Sequence, residues 1–169
     1  MLEQPALLLR PMAPGDAPPR RVWVVDPVTD DVLGSARRHG GRSRLARLWW
    51  WGRPAIEVRE SDDEPLLFTI WPGWGWARRW RVEDAEGNRV GRVVGPFLLD
   101  RRDAPLGSLR REAGRTSYLD MQGDELAEVE VGDEGLRLTF LPDGQGSPFV
   151  KMLLLAAALV HHEAALGGL

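Results

Sequence analysis

Hydrophobic and polar residues alternate with a period of two along much of the chain. Ile56 and Val58 point one way and Glu57 and Arg59 the other, while Trp80 and Val82 oppose Arg79, Arg81 and Glu83. Ala127, Val129 and Val131 oppose Glu128 and Glu130, and Leu136, Leu138 and Phe140 oppose Arg137 and Thr139. Such alternation predicts strands with one buried and one wet face. About a dozen candidate strands lie between Leu7 and Leu141, with turn signals at short spacing, the pattern of an all-β barrel or sandwich.

A recurring turn joins these strands. Asp84 to Gly91 matches Asp120 to Ala127 in spacing, Glu60 to Leu67 and Asp100 to Gly107 repeat it, and Asp26 to Gly34 carries it with one extra residue. Each unit is an acidic turn-former, then a Gly or Asp that tolerates positive φ, then a new strand. No tip has the dense oxygen spacing of a calcium loop, so these carboxylates are read as shaping turns.

The pattern changes at the C-terminus. Ser147 is a natural N-cap and Pro148 a natural first helical residue, and they predict a helix running to about Leu166 with Gly167 as its stop. This helix is apolar on every side, which calls for burial. Its uninterrupted apolar run is Met152 to Val160, whereas a bilayer span needs about 20 apolar residues. Lys151 bounds the run on one side and His161, His162 and Glu163 on the other. A buried core helix is therefore expected rather than a transmembrane one.

A barrel of eight strands is filled by its own side chains, but one of about twelve has a lumen that a helix about 10 Å across could occupy. The expected fold is mainly β: a closed antiparallel barrel of about twelve strands around the C-terminal hydrophobic helix. A two-layer sandwich with the helix on one side is the alternative. Residues 1–20 read as a Pro-rich N-terminal arm in which Ala6 to Leu9 form a first strand or a loose arm, and residues 21–169 as a single domain.

Composition narrows the function. The chain has 169 residues, net charge -3 and no cysteine, which suits one domain and removes disulfides, thiolate zinc sites and cysteine nucleophiles. The start, Met1 to Pro5, is acidic where a signal peptide needs positive charge, so the expected location is cytoplasmic or peripheral at the membrane. There is no Gly-x-Ser-x-Gly elbow, phosphate loop or His set beside a nucleophile. No enzyme activity, catalytic residue, metal or cofactor is expected. His161 and His162 are adjacent, so on a helix their rings diverge by roughly 100° and cannot share an ion well.

The most unusual segment is Arg37 to Arg53, with six Arg and no acidic residue. Arg42, Arg44, Arg47 and Arg53 with Trp49, Trp50 and Trp51 would suit a membrane interface, guanidinium groups pairing with phosphates and indoles at headgroup level. Trp74 and Trp76, in a loop marked by Pro72, Gly73 and Gly75, could anchor a membrane or a protein partner. Alternatively the Trp residues fill or cap the barrel while Arg residues pair with acidic strands. Single-stranded nucleic acid would also stack on Trp, but the net charge of -3 argues against that partner.

The hairpin segment Trp80 to Gly91 and the terminal helix Ser147 to Val160, in this order, resemble the phospholipid scramblase and LURP-one-related families over about Val22 to Leu166. That resemblance implies the tubby C-terminal-like fold, a twelve-stranded barrel around a central hydrophobic helix, and a lipid-related role. Three features depart from the scramblase pattern: the palmitoylated cysteine cluster is missing, the Pro-rich N-terminal region is reduced at most to the loop Pro11 to Pro19, and Leu141 to Gly146, the counterpart of the acidic calcium segment, has the single carboxylate Asp143. The leading expectation is binding to anionic phospholipid or a membrane surface. A protein-interaction scaffold is the alternative, followed by lipid translocation by the terminal helix.

Overall fold

The computed structural model describes residues 1–11, 21–39, 55–60, 65–73, 79–112, 115–163 and 165–166. Twelve strands occur in chain order: β1 (Ala6–Pro11), β2 (Arg21–Val25), β3 (Val32–His39), β4 (Ala55–Arg59), β5 (Leu66–Pro72) and β6 (Arg79–Asp84). They continue as β7 (Arg89–Val94), β8 (Phe97–Asp100), β9 (Pro105–Glu112), β10 (Arg115–Asp120), β11 (Glu125–Gly132) and β12 (Gly135–Phe140). Two helices follow, the short α1 (Pro142–Gln145) and α2 (Pro148–His161). Every strand pairs antiparallel with its sequence neighbours, and β1 pairs with β12 to close the barrel.

The sandwich alternative is thereby excluded. Ala6 to Pro11 is not a loose arm: it forms the seam, with Ala6 opposite Thr139 and Leu8 opposite Val25. The predicted alternation holds for Trp80 and Val82, Ile56 and Val58, and Leu136, Leu138 and Phe140, all buried. Val131 departs from it and is exposed with its neighbours Glu130 and Gly132 at the end of β11.

Up-and-down topology gives the barrel two distinct ends. At one end, here the hairpin end, lie the connections β2–β3, β4–β5, β6–β7, β8–β9 and β10–β11 and the start of α2. Each of these five pairings has a register shift, at Val24/Val25, Val58/Arg59, Val82/Glu83, Leu98/Leu99 and Tyr118/Leu119. Bulges bend a strand and increase its twist, which a sheet needs in order to close. The recurring turns supply them. Gly87, Gly123, Asp103 and Asp30 all have positive φ, at the positions where the repeat has its Gly or Asp. Asp63, the corresponding residue of the fifth turn, lies outside the described residues.

Helix α2 fills the interior. Leu153 to Leu159 are buried on every side of the helix and share one core with inward residues of the strands, including Leu7, Val24, Ile70, Tyr118 and Phe140. Close approach is made possible by Gly91 on β7. A Cβ there would lie 2.4 Å from the Leu99 carbonyl oxygen and 3.2 Å from the Leu153 side chain. The helix ends at His161, short of the predicted Leu166, because the apolar run ends there and Glu163 leaves the core to pair with Arg38. Ser147 is the N-cap residue, although its side chain makes no capping bond.

Candidate functional site

All nine residues predicted to contact lipid, Arg42, Arg44, Arg47, Arg53, Trp49, Trp50, Trp51, Trp74 and Trp76, lie outside the described residues. Their flanks are described. His39 pairs with Ala55 and Pro72 with Trp80, so the connections β3–β4 and β5–β6 both leave and rejoin the barrel at the end opposite the hairpin end. The same end receives the C-terminus of α2.

Charge differs between the two ends. The connections at the hairpin end, including that between β12 and α2, hold eleven Asp and Glu against two Arg. Those at the opposite end hold six Arg and five Trp against three acidic residues.

Along the wall, many Arg side chains are already paired. Glu57 accepts from Arg37 at 3.1 Å and from Arg59 at 3.3 Å, and Arg81 meets Glu83 at 3.0 Å. Asp103 takes both Arg89 and Arg92, and the hydrogen bond from Arg89 is the main reason its carboxyl stays below the usual carboxylate range. The Arg21 guanidinium also lies over the Trp23 ring, 5.1 Å from its centroid.

The hairpin carboxylates cap their own loops. Asp120 Oδ1 accepts the backbone N–H groups of Gln122, Gly123 and Asp124 at 2.7–2.9 Å, which holds its carboxyl below the usual range, Asp124 contributing most. Asp26, Asp84 and Asp100 do the same for Val28, Asn88 and Arg102. Their oxygens face separate turns, and among the described residues no group of three or more His, Cys, Asp or Glu could hold a metal ion.

A cluster that the sequence did not indicate surrounds the C-terminus of α2. His161 Nε2 lies 2.7 Å from the Gly95 carbonyl oxygen, and its Nδ1 lies 3.2 Å from the Tyr118 hydroxyl. The Gly95 carbonyl only accepts, so Nε2 carries a proton, and in the neutral ring Nδ1 accepts from the phenol. Burial raises the Tyr118 pKa well above its ordinary value. Arg38 pairs with Glu163, and Arg111 reaches the His161 carbonyl oxygen at 3.4 Å. His162 Nε2 is buried with no hydrogen-bond partner among the described residues, and burial, then Arg111 and His161, push its pKa down to about 4. Through Gly95 and Tyr118, His161 holds the helix end in its seat.

Outside the barrel, Val94, Phe97, Leu99, Pro105 and Met121 line an open groove of about 530 Å³. No helix among the described residues is long and apolar enough to cross a membrane. No family model, curated protein or solved structure matches the chain.

Proposed function

We propose that this barrel binds an anionic lipid surface end-on, through the Arg- and Trp-rich connections between β3 and β4 and between β5 and β6. The observation that carries the reading is the segregation just described, six Arg and five Trp in the connections of one end and eleven acidic residues in those of the other. A body polarised in this way orients in the field of an anionic surface, and each Arg near that surface contributes about 1 kcal/mol. With the interior occupied by α2, the outer surfaces are what a ligand can meet. The resemblance to scramblase and LURP-one-related proteins agrees with this reading at the level of fold. Lipid translocation would require α2 to leave its core, so the proposal is limited to surface binding.

Flotation with liposomes tests it. The protein is expected to float with anionic vesicles at low salt, to be released at high salt, and to ignore neutral vesicles, because exposed charges are screened within about 10 Å at 0.1 M. Absence of flotation with anionic vesicles at low salt overturns the proposal.

A further inference from the structure

We propose that the C-terminal turn of α2 is an acid-released latch: protonation of the His161–His162 pair frees the end of the helix from its seat while the barrel stays closed. This inference is independent of the lipid reading.

Geometry carries it. The seat is built by four elements: Arg38 on β3, the Gly95 carbonyl between β7 and β8, Arg111 on β9 and Tyr118 on β10. On the helix side the charged and titratable groups are His161, His162 and Glu163. Tyr118 is fully buried, and its hydroxyl proton is accepted by Nδ1 of a neutral His161. Protonating His161 turns that acceptor into a donor and leaves the phenol proton buried without its partner. Among the described residues His162 Nε2 has no hydrogen-bond partner, and Arg111 already repels positive charge there, while Glu163 is engaged by Arg38.

The direction with pH follows. A released His162 titrates near its ordinary 6.5, whereas the seated ring, desolvated and beside Arg111, titrates at about 4. Between these values the released form binds more protons, so release is favoured as pH falls from about 6.5 toward 4 and unaffected above it. With a discount for the partly exposed ring, the opening equilibrium shifts on the order of tenfold between pH 7.5 and 5.

Hydrogen exchange of the whole chain at pH 7.5 and 5.0, corrected for the intrinsic pH dependence of exchange, reads this out. Amides of Leu159 to Glu163 are expected to lose about tenfold in protection at pH 5.0, with strand amides unchanged. In the double variant His161→Gln, His162→Leu that loss should disappear. The proposal is overturned by equal protection at both pH values, by uniform loss across the barrel, or by a variant that keeps the full dependence. If the double variant does not fold, His162→Leu decides: a several-fold weaker dependence supports the latch, and an unchanged one overturns it.

Discussion

Lys151, the single lysine of the chain, is 6% exposed inside the barrel mouth. Its Nζ donates to the Leu2 carbonyl oxygen at 2.7 Å and the Gln4 carbonyl oxygen at 3.4 Å, and sits 5.0 Å from the centroid of the Phe140 ring. A buried ammonium persists where acceptors and an aromatic face replace water. The contact ties the segment before β1 to the helix. Replacing Lys151 with Met keeps the stem but leaves the carbonyls without their donor. The variant is expected to lose about 1–3 kcal/mol, visible as a lower denaturant midpoint at unchanged slope, and an unchanged midpoint would show that the tie is energetically idle.

Between residue and fold stand the hairpins and the helix. The hairpins were legible because their chemistry is local: an Asp that caps its own loop and a Gly or Asp at positive φ are both set within five residues. The helix interior was legible because nothing in Met152 to Val160 tolerates water. What could not be read is what distant parts impose. Pro142 to Gln145 is poor helix sequence, yet α1 forms there because Gly144 packs where a Cβ would lie 2.1 Å from the Leu126 carbonyl oxygen, and Leu141 N–H donates to that oxygen at 3.0 Å. The Tyr118–His161 contact spans 43 residues and depends on barrel register, which leaves no mark in either local sequence. Helix α2 also gives the sharpest test of the architecture. Leu154 is 0% exposed, and Leu154→Asp would bury an unpaired charge at a cost of several kcal/mol. No cooperative melting is expected from this variant, and a soluble variant melting at the wild-type temperature would refute a helix at the core.

At the scale of the molecule, closure decides both polarity and integrity. The basic and Trp-rich segments were visible as composition, but whether they share an end depends on the parity of strands between them. Two strands, β4 and β5, bring the chain out and back, and one strand more or fewer would have sent the segments to opposite ends. The seam between β1 and β12 removes every free edge. Deleting residues 1–11 should expose β2 and β12 as unpaired edges and drive association. Size-exclusion chromatography should then show oligomers or aggregates, whereas a cooperative, monomeric variant would contradict the closed ring.

The position of α2 also constrains the order of assembly. The helix at the core follows all twelve strands in the chain, and the first strand waits for the last. Hairpins can form early from local contacts, but the single pairing that closes the barrel, β1 with β12, joins residues nearly the whole sequence apart, and such a non-local closure is slow. Until α2 has been synthesised, the strands on a ribosome have a rim without a hub. A chain stopped before Pro148 therefore exposes its apolar face to chaperones and proteases, and the barrel can close only once α2 is there to fill it.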